Sequence, residues 1–266
     1  MSPPIPSALR SVLPADAAVS WEAMRQILPP GVVLYGGTAI AAHLHHRVSR
    51  DLDFFYTDTT LDLNRLRDEL AQLRPLAVTT LLDDTLNAVF GATKLQFLLA
   101  RGQRALETPT VIAGIPVAGL RDLAATKIKV IGDRGELRDY FDLMIIEQRT
   151  HITVESALLD YQARYPTTDH AVLVHIVRAL GSFTDVANDP SLPATRAAIE
   201  RYWKFRQPQV VASLDSTGAI HPPSAPVAVA IPSHQVALTP PTGPGGVWVE
   251  PHLRNGRRVS GYWRRR

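Results

Sequence analysis

The chain has 266 residues, 45% of them apolar and 20% charged, enough to fold around a core of its own and too apolar for a disordered polymer. It holds no cysteine, which excludes disulfides, thiolate zinc sites and thiol nucleophiles. The net charge of +3 is uneven: residues 247–266 carry six arginines against Glu250, or +5, which leaves −2 for residues 1–246. Positive charge therefore acts mainly from the C-terminal end. No apolar stretch reaches bilayer-crossing length, and Met1-Ser2-Pro3-Pro4-Ile5-Pro6 lacks the basic start and apolar run of a signal peptide. A cytoplasmic protein without a membrane partner is expected.

In chain order, Leu9, Val12, Leu13, Val19, Met24 and Ile27 have helical spacing broken by Pro14, which predicts two short helices over 7–29. Val32–Tyr35 reads as a buried strand running into Gly36-Gly37, and Thr38 is placed to cap a helix through His45. Arg50–Tyr56 alternates as a strand, and Leu61, Leu66, Leu70 and Leu73 mark a helix over 61–73. Strands are predicted over 78–82, 86–90, 93–100 and 110–117, then a helical block over 119–148, with Gly132 and Gly135 arguing against one unbroken helix. Further helices are expected within 153–205. Residues 207–246 hold eight prolines among Ser, Thr and Ala, the composition of an extended linker. Beyond it, Asn255-Gly256 between alternating apolar residues predicts a hairpin. The division expected is therefore 1–118, 119–206, 207–246 and 247–266.

Two clusters carry chemistry. Gly36-Gly37-Thr38 is followed by Asp51-Leu52-Asp53, and residues two apart on a strand share a face, so both carboxylates aim at one place. Converging carboxylates suit Mg²⁺ (or Mn²⁺) bound to an NTP, and paired glycines at a helix start let backbone approach phosphates. Asp-x-Asp alone would be two solvated side chains. The order strand, Gly-Gly-Thr, helix, aromatic strand is what favours function. The second cluster is Lys127, Arg134, Arg138, Asp139 and Asp142 on the helical block. Lys127 could meet a phosphate and Asp139 could fix it or act as a base, or the group could be a salt-bridged helix face. Arg47 and Arg50 are candidates for phosphate contact, whereas His43, His45 and His46 lack zinc-site spacing. In the tail, Arg254, Arg257, Arg258, Trp263 and Arg264 mix phosphate-seeking cations with a stacking surface, so both a nucleic-acid hairpin and a docking appendage fit.

Leu34–Ala39 with Arg47–Phe55, and Leu123–Leu143 with Lys127, Arg138-Asp139 and Asp142-Leu143, resemble the two signatures of the AbiEii/AbiGii (MenT-like) nucleotidyltransferase-toxin family, over about residues 20–205. The resemblance implies an α+β fold: a nucleotidyltransferase-like mixed sheet with flanking helices, then a helical domain. It implies a toxin of a toxin–antitoxin or phage-defence system that moves nucleotides from an NTP to the 3′ acceptor end of tRNA and blocks translation, with a cognate antitoxin as partner. By the same resemblance Asp51 and Asp53 bind metal, Lys127 meets the triphosphate, Asp139 completes the site, and Ser49 matches a position that an antitoxin kinase can phosphorylate. A simple strand-entry cap is the other reading of Ser49. One departure stands out: where many nucleotidyltransferases place a third carboxylate, this chain has Gln96, which can neither act as a base nor neutralise a cation. A silent nucleic-acid or partner-binding module, and a transferase acting on a protein or small-molecule hydroxyl, are the alternatives.

Overall fold

Proline has no N–H and a fixed φ, so Pro14 divides the N-terminal apolar run into helix α1 (Ser7–Arg10) and helix α2 (Ala15–Ile27). The computed structural model describes residues 4–166, 169–214 and 219–221, together with the backbones of four short strands between 246 and 265. Strand β1 (Val33–Tyr35) leads into helix α3 (Gly36–Leu44), and strand β2 (Leu52–Tyr56) follows. Helix α3 starts at Gly36, so Thr38 lies inside it and does not cap it. Helix α4 (Leu63–Leu73) is capped by Asp62, whose carboxylate accepts from the Asn64 and Arg65 N–H groups. A meander of strands β3 (Leu76–Leu82), β4 (Thr85–Phe90) and β5 (Thr93–Leu99) comes next.

The single strand expected over 110–117 is instead a hairpin, strand β6 (Thr110–Ile112) and strand β7 (Ile115–Val117). Ala113 and Gly114 both take positive φ, 45° and 85°, which closes the two-residue turn. All seven strands join one mixed sheet in the order β3-β4-β5-β2-β1-β7-β6. Strand β2 is its pivot, antiparallel to β1 and parallel to β5. One face, with Leu52, Phe54, Leu95 and Phe97, is buried, and the Phe54 and Phe97 rings stack at 5.1 Å. The other face carries Asp53, Phe55, Lys94 and Gln96, so sheet alternation alone puts these four on one side.

The helical block breaks as its glycines suggest, into helix α5 (Leu120–Arg134) and helix α6 (Leu137–Arg149). A reciprocal cap starts α6, with Asp139 accepting from the Glu136 N–H at 2.9 Å and the Glu136 side chain returning the contact. Helices α7 (Val154–Arg164), α8 (His170–Leu180) and α9 (Arg196–Ala212) complete the chain's packed part. Helix α9 runs six residues beyond the expected boundary at 206, straight through Pro208. Burial of Trp203, Arg206 and Val210 anchors it on both sides of the proline and outweighs the lost N–H.

In the tail, strand β8 (Gly246–Val249) pairs with strand β11 (Tyr262–Arg265), and strand β9 (His252–Arg254) with strand β10 (Arg257–Val259), all antiparallel. Asn255-Gly256, the side chains of Arg254, Arg257, Arg258, Trp263 and Arg264, and most of the expected linker lie outside the described residues. Among the described residues, no helix is long and apolar enough to cross a membrane.

Candidate active site

Asp51 ends the loop before β2 and Asp53 lies on it, and both line one cleft of about 650 Å³ together with Gly36, Gly37 and Gln96. The Asp51 side chain stays 35% exposed, whereas Asp53 is recessed in the floor. Burial and the nearby Asp51 charge push the Asp53 carboxyl up to about 6, with partial relief from Lys127 and Arg138. Among the described residues neither acid has a cation closer than Arg138, which stands 4.0 Å from Asp51.

The glycine pair has a separate steric reason at each position. Gly36 sits at φ +72°, and a Cβ there would run into the Asp53 carboxylate. A Cβ on Gly37 would run into the Arg47 guanidinium and press on the Ser49 hydroxyl. Helix α3 therefore begins against the carboxylates, with no side chain capping its first turn. A helix start without a side-chain cap suits an anion. Thr38 is buried and serves the site from below. Its hydroxyl lies 2.5 Å from the Asp51 carbonyl and 2.8 Å from the Ser49 hydroxyl. With one proton to give, it donates to the carbonyl and accepts from Ser49. Ser49 itself keeps only 7% of its surface exposed, and its N–H is bonded to the Val12 carbonyl at 2.9 Å.

Beneath the cleft lies a sealed charge cluster built on Asp142. This fully buried carboxylate takes both arms of Arg47, at 2.6 and 2.8 Å, the His46 Nε2–H at 2.7 Å, and Lys127 at 2.8 Å. Lys127 also donates to Asp139 at 2.7 Å. Burial alone would raise Asp142, but the Lys127 and Arg47 charges hold it well below its usual range. Burial likewise opposes the Lys127 charge, and Asp139 with Asp142 more than offsets it. Burial lowers His46 despite Asp142, so the ring is neutral. His43 bonds the Ala118 carbonyl at 2.8 Å and His45 takes the left-handed turn after α3, so the three histidines face different ways.

The sequence-predicted residues thus fall into two groups. Asp51, Asp53, Gly36, Gly37 and Arg50 meet in the open cleft. Arg47, Lys127 and Asp139 reach its wall with their charges spent on Asp142 and on each other. Arg138 stands 4.0 Å from Asp51 and 2.6 Å from Glu136. Gln96 is placed by strand register directly beside Asp53, with Asn87 next along the row, and its amide N–H donates to Asn87 at 2.8 Å. Arg134, grouped from sequence with the second cluster but given no role of its own, lines the cleft, and sequence reasoning missed Lys94 as a cleft residue. Lys94 was legible in principle, since it shares a strand face with Gln96.

A glycine turn abutting an acid on the next strand of a mixed sheet, a second acid just before that strand, and a helical wall supplying lysine and arginine make the arrangement of a nucleotidyltransferase. The family model for the nucleotidyl transferase AbiEii toxin, of Type IV toxin–antitoxin systems, matches residues 21–105 and 102–230, and the chain belongs to that family. A protein of Aquifex aeolicus (strain VF5) is 28% identical over 193 residues, which cover 69% of this chain and 88% of the relative. Among solved structures, MenT4, a nucleotidyltransferase toxin of Mycobacterium tuberculosis H37Rv, aligns with a TM-score of 0.43 and 16% identity over 79% of this chain and 87% of its own. The antibiotic-resistance factor ANT(2'')-Ia aligns with a TM-score of 0.44 and 17% identity over 64% of this chain and 94% of its own.

Proposed function

We propose that this nucleotidyltransferase toxin transfers a nucleotide from an NTP to the 3′ acceptor end of tRNA, in a Mg²⁺-dependent reaction that blocks translation. The observation that carries the reading is the Asp51–Asp53 pair facing the uncapped start of α3 across a glycine that only leaves room because it lacks a Cβ. The donor set fits a hard divalent cation: two carboxylates, one of them raised to about 6 by burial and by the charge of the other. Such an ion, held by Asp51 and Asp53, would neutralise phosphate charge and ease deprotonation of the attacking hydroxyl. The chain's own part is to seat phosphates on the α3 N–H groups, to hold Asp51 by the Thr38 bond, and to balance charge with cations on the cleft wall. The acceptor oxygen attacks the α-phosphorus, the α–β bond breaks and pyrophosphate leaves.

An RNA acceptor fits the cleft's charge. The lining cations Arg50, Lys94 and Arg134 have no carboxylate partner among the described residues, which suits a polyanion and opposes a polycationic small molecule. An antitoxin that phosphorylates Ser49 would place nearly two negative charges beside Gly37 and the metal-binding acids. Because Ser49 is buried, such a kinase must first open the 46–50 segment. Incubation of the purified chain with tRNA and each labelled NTP, with and without EDTA, tests the reading. Metal-dependent labelling lost in Asp51→Ala supports it, and unlabelled RNA with every NTP overturns it.

Gln96 favours a second reading, a catalytically silent binding module, because it withholds the third carboxylate. Nucleotide titration separates the two: Mg²⁺-dependent NTP binding belongs to the enzyme, and RNA binding without any NTP affinity belongs to the module.

A further inference from the structure

The cations lining the cleft divide into two populations, and the division reassigns the phosphate contacts. Arg47 and Lys127 are buried, and together they face Asp142 and Asp139, two positive charges against two negative. Pulling either toward a ligand would strand a buried carboxylate, a costly exchange in a low-dielectric interior. Arg138 is shared between Glu136 and Asp51. Arg50, Lys94 and Arg134 are different. All three are exposed, line the same cleft as the acid pair, and have no ion pair or side-chain hydrogen bond among the described residues. They come from three separate elements: the loop before β2, strand β5, and the last residue of α5. Lys94 is two residues from Gln96 on the same strand face, and Gln96 is the register partner of Asp53, so Lys94 sits beside the acid pair.

We infer that Lys94 and Arg134, with Arg50, form the seat for the nucleotide's triphosphate, and that Lys127 is a counter-ion that fixes Asp139 and Asp142 rather than a phosphate ligand. This rests on the transferase reading, since the phosphates must extend from the acid pair. Exposed cations reach an anion without surrendering an existing bond, and three of them around one cleft supply the charge that the locked pair cannot. A simple helix-end role for Arg134, favoured by the helix dipole, would leave phosphate binding untouched.

The test uses the full chain and inorganic tripolyphosphate with Mg²⁺, measured by calorimetry beside thermal melting. Lys94→Ala and Arg134→Ala should each weaken tripolyphosphate binding at least about tenfold with an unchanged melting temperature, and Arg134→Lys should restore most of it. Lys127→Met should lower the melting temperature. A parallel titration with single-stranded RNA separates the source of the phosphate: a larger loss for tripolyphosphate than for RNA in Lys94→Ala and Arg134→Ala supports the triphosphate seat. Loss of RNA binding with intact tripolyphosphate binding overturns it, and so does wild-type tripolyphosphate affinity in both variants. If the unmodified chain binds no tripolyphosphate at all, the transferase reading itself falls, an outcome visible before any variant is made.

Discussion

Two charge clusters in this molecule are built from the same side-chain types and end in opposite states. In the helical part, Arg206 is fully buried and bonded to Glu147 at 2.9 Å and also to Glu155, while the Tyr202 hydroxyl donates to Glu147. None of these residues lines the cleft of the acid pair, and both carboxylates have a bonded cation. At the cleft, the Asp142 cluster is sealed in the same manner, yet directly above it Asp51 and Asp53 have no adjacent cation closer than Arg138 at 4.0 Å. The difference shows where a protein accepts electrostatic cost. A group repelled in the resting state is one that a ligand can relieve, whereas a satisfied group contributes only to stability.

The comparison breaks most sharply at Asp51. Asp51→Asn should reduce nucleotide transfer about a thousandfold or more, as expected when a metal-binding charge is removed at a phosphoryl-transfer site. Its melting temperature without divalent ions should hold or rise, because the repulsion on Asp53 goes with it. A fall in both would place Asp51 in the structural class. Arg206→Met should do the reverse. It leaves Glu147 and Glu155 buried without their cation, which costs about 3–5 kcal/mol and lowers the melting temperature by about 10 °C. Activity per folded molecule should stay within about twofold. A large loss of kcat with normal melting would show that the sealed cluster reaches the cleft after all.

A pH experiment sharpens the contrast. The Asp53 carboxyl titrates at about 6 in the fold against 3.8 as its ordinary value, so the folded state holds the proton more tightly. Stability from this group is therefore fully present below about pH 4 and lost as pH rises through 6. Buried His46, lowered by burial, has the opposite sign in the same range, so wild type must be compared with Asp53→Asn. Without divalent ions, wild type should melt about 5 °C below the variant at pH 7.5, and the gap should fall to about half by pH 5 and close below about pH 4. Added Mg²⁺ at pH 7.5 should raise wild type alone. A gap independent of both pH and Mg²⁺ would mean that Asp53 carries no excess charge stress.

The legible part of this protein is its short-range part. Gly36-Gly37, Asp51-x-Asp53 and the strand order around them follow from turn chemistry and a period of two, which neighbouring residues express by themselves. Lys127 and Asp139 were also named from sequence, but whether they grip a ligand or each other depends on Asp142, and the bonds from Asp142 to His46 and Arg47 span 96 and 95 residues. No local pattern encodes such a pairing. The same holds for Arg164, whose guanidinium bonds Asp122 at 2.5 Å and the Arg104 carbonyl at 2.8 Å while lying over the Tyr35 ring at 4.8 Å. The misread elements have local causes overruled by packing. Thr38 prefers a cap but is used to hold Asp51, and Pro208 signals an end that the burial of Val210 overrides.

The smallest expected effect concerns Gln96. Its carboxamide gives its N–H to Asn87, which leaves the carbonyl oxygen as the atom available on the Asp53 side of the row. That oxygen is a neutral acceptor where a carboxylate would add a third negative charge. Gln96→Glu keeps shape and volume, and Asn87 can turn its own amide to donate to the new acid. With three acids in the row, attraction for a divalent cation increases, so the Mg²⁺ concentration for half-maximal thermal stabilisation should fall about three- to tenfold. The metal-free protein should melt slightly lower, because the added charge worsens the repulsion already present at Asp53. An unchanged Mg²⁺ requirement, with no loss of metal-free stability, would show that residue 96 does not face the acid pair.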